Sequence, residues 1–338
     1  MGKKIGKRTF IFDNKPTIIN TATVSGPLEG QGPLKSYFDH IYDDTLAGQI
    51  SFEKAEREMM SNACITVLNK AKVTPNEVDA FIAGDLLNQI ITSGFSALYL
   101  DIPFIGVYAA CSTSALGLII ASIILESNCG EMILTATSSH NLAAERQFRY
   151  PTEYGVYSKP YTQWTATGAG AALVSLNGKG PKITCATVGK VEDLGCKDPL
   201  NMGAAMAPAA TSTLLQHFAD TGRGPEYYDL ILTGDLGKLG YELAIELASS
   251  QGGFDLSKNY NDCGLMLYDL EKQDVHAGAS GCASSALVFH GHIYKKMLSG
   301  EYNKVLLAST GALHSPTSNH HFQTYGVCNC WYIITLLI

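Results

Sequence analysis

The sequence predicts an α/β fold built from two similar halves, and two observations support this. One order of segments occurs twice: a buried strand ending in Gly-Asp, a helix headed by cysteine, and a further buried strand. The spacing between corresponding segments grows slowly along the chain, as inserted loops would make it. With 338 residues, 46% of them apolar, the chain can bury the core of two packed halves. We place these halves at residues 1–178 and 179–338.

The first repeated element is a buried strand with its flanking turns. Ser51 is predicted to cap an amphipathic helix that ends near Ala71, because apolar residues recur there at helical spacing. The chain then reads Pro75-Asn-Glu-Val-Asp-Ala-Phe-Ile-Ala-Gly-Asp-Leu86. Residues 225–236 read Pro-Glu-Tyr-Tyr-Asp-Leu-Ile-Leu-Thr-Gly-Asp-Leu, with Pro, Asp, Gly, Asp and Leu in the same places. Each copy predicts a loop, a buried strand and a Gly-Asp turn.

The second repeated element is a cysteine at the head of an apolar helix, followed by a strand. Residues 110–116 (Ala-Cys-Ser-Thr-Ser-Ala-Leu) and 281–287 (Gly-Cys-Ala-Ser-Ser-Ala-Leu) share Cys, Ser, Ala and Leu. The apolar runs at residues 132–137 and 305–310 predict a buried strand after each helix. The turn-forming run at residues 177–181 separates two predicted strands, so the boundary between the halves is placed there.

Bulk composition excludes several classes of function. Twenty-four Lys and Arg against 31 Asp and Glu give a net charge of −7, and no basic block occurs, so no nucleic-acid partner is expected. The longest apolar run, residues 115–125, is shorter than the roughly 20 residues that cross a bilayer. No signal peptide follows the basic start, so we expect a cytoplasmic protein. Nine cysteines without a CxxC pair argue against disulfides and zinc, and we expect no metal or cofactor.

Cys111 is the first candidate functional residue. It follows the strand-like residues 104–108 and heads the helix predicted over residues 114–125. A helix N-terminus lowers a thiol pKa and offers backbone N–H groups to an anion. A small buried hydrophobic residue is the alternative interpretation. Cys282 occupies the mirrored place, where duplication would keep a packing residue without any catalytic need.

Asp85 and Asp235 each close a predicted buried strand. Such a carboxylate either caps the next turn or faces a cleft at the carboxyl end of the sheet. Polar Asn88 and Gln89 follow Asp85, which favours a site there. The glycine-rich residues 237–240 follow Asp235 and indicate a plain turn. For Asp85, both a structural role and a site role stay open.

A polar segment follows the first half's third predicted strand and contains His140, Arg146 and Arg149. Two arginines near the exit of a strand could hold carboxylates by bidentate hydrogen bonds. The alternative is a solvated loop with an Arg-Glu pair, since surface arginines are common.

Cysteine-headed helices in two similar halves resemble the thiolase superfamily, whose ketosynthase members use such a cysteine as acyl nucleophile. The chain resembles the stage V sporulation protein AD family more narrowly, from about Thr9 to Pro316. Five blocks carry this resemblance: Gly84-Asp-Leu-Leu-Asn-Gln89, Ala110-Cys-Ser-Thr-Ser114, Thr137-Ser-Ser-His-Asn141, Ala144-Glu-Arg-Gln-Phe-Arg-Tyr-Pro-Thr-Glu-Tyr-Gly155 and Met202-Gly-Ala-Ala-Met-Ala-Pro208. The resemblance implies a thiolase-like αβαβα sandwich with mixed five-stranded sheets.

The resemblance also implies a function. It implies a soluble subunit of a membrane channel complex that moves dipicolinic acid, with or without calcium, into the developing spore. The protein would lie peripherally on the inner membrane, with other stage V sporulation membrane proteins as partners, and would form a homodimer. In the family, the Gly-Asp carboxylate and the cysteine are implicated, which correspond to Asp85 and Cys111. His140, Arg146 and Arg149 are further ligand-binding candidates.

Two other functions remain open. The first is a thiolase-like acyltransferase with Cys111 as nucleophile, assisted by a histidine and backbone amides. The second is a purely structural subunit with a vestigial pocket. Absence of the family's histidine near the C-terminus weakens the acyltransferase, and we expect a binding protein instead of an enzyme.

Residues after about Pro316 depart from the family. The family ends in a short Ile-Ala-His-type strand whose histidine faces the pocket, and His320 and His321 do not match it. No Lys, Arg, Asp or Glu occurs from Val305 to Ile338, although 16% charged residues would supply about five. We therefore expect an out-of-frame ending.

Overall fold

The computed structural model describes residues 2–148, 159–312 and 330–337. The described strands are β1 (Lys3–Ile5), β2 (Thr9–Ile11), β3 (Thr17–Ser25), β4 (His40–Ile41), β5 (Ala80–Asp85), β6 (Phe104–Gly106), β7 (Met132–Ser139), β8 (Trp164–Thr165), β9 (Gly168–Ser175), β10 (Cys185–Val188), β11 (Leu230–Thr233), β12 (Tyr260–Asp262), β13 (Ala279–Ser280), β14 (Val305–Ala312) and β15 (Cys330–Leu337). The described helices are α1 (Phe52–Ala71), α2 (Ile91–Leu100), α3 (Thr113–Glu126), α4 (Asn141–Phe148), α5 (Met202–Thr221), α6 (Gly237–Gly252), α7 (Cys263–Met266), α8 (Cys282–Leu287) and α9 (Tyr294–Leu298).

Two mixed sheets confirm the predicted duplication. The first has six strands in the order β4-β3-β9-β7-β5-β6, and the second has seven in the order β1-β2-β10-β15-β14-β11-β12. β5 is parallel to β6 and β7, and β9 is antiparallel to β3 and β7. β11 is likewise parallel to β12 and β14, and β15 is antiparallel to β10 and β14. Each sheet thus contains the five expected strands, in the same order and direction. The short strand β4 extends the first sheet at one edge, and β1 and β2 extend the second.

The elements stack in five layers, helix, sheet, helix, sheet, helix. α1 packs its apolar face on the outer side of the first sheet, and α5 covers the outer side of the second. α3 lies between the sheets and contacts strands of both, with α8 beside it. Because the sheets are covered on both faces, β5, β9, β11 and β14 are buried throughout. The αβαβα prediction is therefore confirmed.

A capping serine and two repeated aspartates fix the starts of helices and strands. The Ser51 hydroxyl accepts a hydrogen bond from the Lys54 N–H at 3.3 Å and caps α1, as predicted. Asp79 accepts hydrogen bonds from the N–H groups of residues 131 and 132, at 2.6 and 2.9 Å. Asp229 does the same for residues 303 and 304, at 2.6 and 3.0 Å. The repeated aspartate therefore ties each first strand to the start of its neighbour.

The two halves also exchange segments. β1 and β2 precede the first sheet in sequence, yet β2 pairs with β10 and places both in the second sheet. β8 from the first half pairs with β13 from the second, in parallel. This ribbon brings residues 164–165 and 279–280 together at the junction of the halves. The division between residues 178 and 179 stays a prediction.

The expected out-of-frame ending falls mostly outside the described residues, which include neither His320 nor His321. The backbone of β15 takes the place in the second sheet that β9 has in the first. Within the described ranges, no helix has both the length and the apolar character needed to cross a membrane.

Candidate functional site

Cys111 lies in a tight turn, residues 110–112, directly before α3. Ala110 has φ 46°, a left-handed conformation that costs a non-glycine residue about 1 kcal/mol. The Thr113 hydroxyl holds this turn: it donates to the Ala110 carbonyl oxygen at 2.7 Å and accepts from the Ala109 N–H at 3.1 Å. The cysteine is buried at the head of α3, as predicted.

Cys282 has the mirrored geometry in the second half. It is the first residue of α8, and Gly281 before it has φ 90°. A Cβ atom on Gly281 would lie only 3.0 Å from the Ser139 hydroxyl oxygen, so the position requires glycine for conformation and for space. The Cys282 thiol donates to the Ser138 carbonyl oxygen at 2.9 Å. In each half, the residue directly before the cysteine therefore has a positive φ.

Asp235 of the second half faces Cys111 of the first. The Asp235 carboxyl group is buried, and its Oδ2 accepts a hydrogen bond from the Gly281 N–H at 2.9 Å. Burial raises the pKa of Asp235 to about 8, although its interaction with the Cys111 thiol opposes the rise. At neutral pH this acid is mostly protonated. Sequence analysis predicted a plain turn at Asp235 and missed this contact between the halves.

The thiol of Cys111 is held in its neutral form. Burial raises its pKa well above the usual range, and the nearby Asp235 and Cys282 raise it further. The Gly281 N–H acts in the opposite direction. The position at a helix N-terminus predicts a lowered thiol pKa, but burial and the facing acid outweigh this effect.

Asp85 has its carboxylate fully engaged. One oxygen accepts from the Leu87 N–H at 2.9 Å, and the other accepts from the N–H and hydroxyl of Ser93, at 2.8 and 2.6 Å. Burial raises the pKa of Asp85, and these three donors lower it. The carboxylate therefore holds the segment between β5 and α2, which fits the structural interpretation left open by the sequence.

Tyr108 brings Asp85 and Cys111 into one cluster. Its side chain is 37% exposed, and it lies close enough to Cys111, Cys282 and Asp85 that each of them, after burial, raises the pKa of its hydroxyl. The groups around both cysteines are buried, whereas Tyr108 reaches the surface. We take Tyr108 as the approach to this cluster.

Glu56 was missed by sequence analysis. It is fully buried on α1, where Ser138 donates to its Oε1 at 2.9 Å, while its Oε2 has no hydrogen-bonding partner among the described residues. Burial raises its pKa well above the usual range, and the charge of Asp85 adds to this. The sequence did contain a signal for this burial. Met60 and Ala63 follow Glu56 at the spacing of one helix face, which places Glu56 on the apolar face of α1.

His140 lies against the start of α1. Its Nε2 is 2.7 Å from the Thr45 carbonyl oxygen, and its ring centroid lies 5.4 Å from that of Phe52. Burial lowers the pKa of His140, so the ring is neutral near pH 7. These contacts are with residues before and at the start of α1, and none is with Cys111.

Arg146 lies on the same side as His140. Its guanidinium lies 5.7 Å from the ring centroid of Phe52 and 4.0 Å from the Glu53 carboxylate, and its side chain is 45% exposed. Arg146 is thus a half-exposed arginine beside a glutamate, as in the alternative interpretation, but it lies on helix α4 instead of a loop and its partner is Glu53 of α1. Arg149 lies outside the described residues.

The acids of the cluster are poorly suited to hold a bare cation. Asp85 is occupied by three donors, and Asp235 and Glu56 have raised pKa values that favour their neutral forms. Within the described ranges, no three His, Cys, Asp or Glu side chains form a group that could hold a metal ion. The arrangement can instead offer S–H and O–H donors to an anion.

Comparisons with known proteins agree with this fold. A family model described as stage V sporulation protein AD matches residues 6–328. Stage V sporulation protein AD of Bacillus subtilis (strain 168) is 46% identical over 323 residues, which is 95% of each chain. The sequence resemblance to that family is therefore confirmed.

Solved structures with low sequence identity share the architecture. The structure of 3-oxoacyl-(acyl-carrier-protein) synthase III from Aquifex aeolicus VF5 matches with a TM-score of 0.58 at 12% identity, over 95% of this chain and 99% of that one. Cerulenin-bound OleA from Xanthomonas matches with a TM-score of 0.59 at 14% identity, over 99% and 97%. These likenesses confirm the thiolase-like fold.

Proposed function

This chain belongs to the stage V sporulation protein AD family, and we propose that it serves sporulation by binding dipicolinic acid, alone or as its calcium chelate, for uptake into the developing spore. In this proposal the ligand binds at the cluster around Cys111 and Asp235, which Tyr108 connects to the surface. The protein acts as a subunit of a membrane channel complex and turns over no substrate.

The observation that supports binding over catalysis is the group facing the cysteine. An acyltransferase needs a thiolate, and an adjacent base is one means of producing it. Cys111 faces Asp235, an acid that is itself mostly protonated near pH 7, and the pKa of the thiol is raised. A neutral thiol is a weak nucleophile but still a hydrogen-bond donor.

The chemistry of the cluster suits a carboxylate ligand. At neutral pH the Cys111 thiol, the Asp235 carboxyl and the Tyr108 hydroxyl are all protonated, so each can donate to a carboxylate oxygen. α3 begins at residue 113, and the N-terminus of a helix favours an anion. Dipicolinic acid carries two carboxylates on one aromatic ring.

The other candidate residues have supporting places in this proposal. Asp85 holds the segment beside the cluster through Leu87 and Ser93. Arg146 is half-exposed on α4, whose Ala144 packs against Cys282, and we propose that it meets the second carboxylate. His140 contacts Phe52 and so supports the ring against which Arg146 lies. Calcium would arrive bound to the ligand.

The test is titration calorimetry with dipicolinate, with and without calcium. Wild type is compared with Cys111→Ala and Asp235→Leu. Cys64→Ala serves as the control, because Cys64 is buried in the outer layer on α1. We expect heat of binding in wild type and Cys64→Ala and its loss in Cys111→Ala and Asp235→Leu. Thermal melts of each variant establish that it is folded.

Two results would contradict this proposal. Wild type that shows no heat with dipicolinate, with or without calcium, excludes it as the ligand. A mass increase on Cys111 after treatment with acyl-coenzyme A would instead support the acyltransferase.

We also propose that two copies of the chain pair along β6. β6 is an edge strand of the first sheet as described, and such an edge offers unpaired backbone groups to another strand. Phe104 and Ile105 on β6 are exposed, and so are Phe95 and Leu98 on the neighbouring α2. An apolar surface of this kind is typical of an interface. Other stage V sporulation membrane proteins would hold this homodimer at the inner membrane of the spore.

A further inference from the structure

A cavity of about 480 Å³ lies at the amino ends of β11 and β14. Lys182, Tyr227 and Lys304 contribute to its wall. Lys304 directly precedes β14 and Tyr227 precedes β11, whereas Asp235 follows β11. The cavity and the Cys111 cluster are therefore at opposite ends of the same sheet.

The Tyr227 ring in the wall of this cavity contacts two cations. The guanidinium carbon of Arg223 lies 4.6 Å from the ring centroid of Tyr227, and the Lys304 ammonium lies 4.1 Å from it. A ring attracts a cation without neutralising its charge. Arg223 and Lys304 are thus both held against Tyr227, and their positive charge remains available to an anion.

Acidic groups leave these cations unpaired. Among the residues that the structure describes, none of Lys182, Arg223 and Lys304 forms an ion pair. Asp229, an acid at this end of the sheet, accepts hydrogen bonds from the backbone N–H groups of residues 303 and 304. Lys182 and Lys304 therefore line the cavity without an ion pair in the described part of the chain, and Arg223 lies against the Tyr227 ring of its wall.

Part of the remaining wall of the cavity is apolar. Met297 and Leu298, at the end of α9, line it together with Tyr302. The Leu298 side chain is 57% exposed, although leucine is usually buried. The cavity thus has one cationic side and one apolar side, which suits a ligand that carries both an anionic and an apolar group.

We propose that this cavity binds the phosphate group of a small amphiphile. Arg223, Lys304 and Lys182 contact the phosphate, whose oxygens can accept charge-assisted hydrogen bonds from more than one cation. The apolar part of the ligand packs on Leu298. Anionic phospholipids and soluble phosphate esters share this chemistry.

The test uses two probes on the full chain. Glycerol 3-phosphate is titrated by calorimetry, and vesicles of phosphatidylglycerol or of phosphatidylcholine are sedimented with the protein. The double variant Arg223→Gln/Lys304→Gln, called the cavity variant, is compared with wild type. Lys54→Gln/Lys238→Gln is the matched control, since both lysines are exposed and Lys238 lies beyond the other end of β11.

We expect the cavity variant to bind at least about tenfold more weakly than wild type, because charge-assisted hydrogen bonds are lost, and the control to bind like wild type. Binding of phosphatidylglycerol vesicles but not of phosphatidylcholine vesicles, with a loss in Leu298→Ser, identifies a lipid as the source. Binding of glycerol 3-phosphate alone identifies a soluble ester.

The proposal is overturned if wild type binds neither probe, or if the control variant loses as much affinity as the cavity variant. Dipicolinate titration of the same variants reports on the Cys111 cluster at the other end of the sheet. The two proposals therefore fail independently of each other.

Discussion

The thiol of Cys111, from the first half of the chain, lies against the carboxyl group of Asp235, from the second. The mirrored arrangement occurs at Cys282, whose thiol pKa is raised by burial and then by the charges of Glu56 and Asp85 from the first half. The strand-ending acid of each half thus acts on the cysteine of the other half, by contact at Cys111 and by charge at Cys282. Only when both halves are packed together does either cluster exist.

The first prediction concerns thiol reactivity. Because its pKa is raised, the buried Cys111 has little thiolate near neutral pH, and it is also less accessible to a reagent than the exposed Cys129. We expect iodoacetamide at pH 7.5 to alkylate Cys111 much more slowly than Cys129, since the thiolate is the form that reacts and burial excludes the reagent. Peptide mass spectrometry over time measures both rates. Equal rates in the native protein would contradict the neutral thiol, and equal rates in guanidinium are the control.

The second prediction concerns stability and pH. The pKa of Asp235 rises from an ordinary 3.8 to about 8 on folding, so between these values the folded protein binds the extra proton. Its contribution to the free energy of unfolding is present below the unfolded pKa and is lost as pH rises through about 8. Asp235→Asn removes this dependence. We expect its stability relative to wild type to increase between pH 5 and pH 8, by on the order of 1–3 kcal/mol.

Urea denaturation at both pH values measures this difference. Asp255→Asn is the control, because Asp255 is exposed and its pKa is lowered by Ser257. A constant difference between Asp235→Asn and wild type across the range would show that Asp235 is ionised in the folded protein.

The third prediction concerns the turn before Cys282. Gly281→Ala adds a Cβ atom at φ 90°, 3.0 Å from the Ser139 hydroxyl, so we expect a loss of about 1–3 kcal/mol in the free energy of unfolding. Gly94→Ala is the comparison, because nothing lies within 4 Å of its Cβ position inside α2. It should gain up to about 1 kcal/mol from helix propensity. Equal effects of the two substitutions would show that position 281 does not require glycine.

The fourth prediction concerns oligomeric state. Phe95→Asp places a charge on the exposed apolar face of α2 beside β6. If two copies pair along β6, wild type has twice the mass of one chain and Phe95→Asp shifts toward a monomer, since burying an unpaired charge is costly. Leu194→Asp, at an exposed leucine in the second half, leaves the mass unchanged. Light scattering measures the masses, and a monomeric wild type would end this proposal.

Much of the fold was predictable from local sequence. The paired Gly-Asp strands and cysteine-headed helices indicated two halves, and the structure gives both sheets the same five-strand order. Ser51 was predicted as the cap of α1 and its hydroxyl accepts from Lys54. These features depend on residues within a few positions of each other, which a single sequence displays directly.

The candidate site was predictable only in part. Sequence placed Cys111 at the head of a helix and Asp85 at the end of a strand, and the structure brings both to Tyr108. It did not predict Asp235 as the neighbour of Cys111, or Glu56 as a buried acid. Arg146 contacts Phe52 and Glu53 instead of the cysteine. Which side chains meet across the junction depends on how the halves stack, and no local pattern records that.

The sequence alone determined the duplicated α/β architecture, the family and the position of both cysteines at helix starts. Tertiary structure decided the protonation of the site, because the pKa of Cys111 depends on its burial between two sheets and on Asp235. A helix N-terminus favours a thiolate by local electrostatics, whereas loss of solvent disfavours any charge. Burial depends on the whole packed chain, so the stronger of these two opposing effects emerges only when both halves are in place.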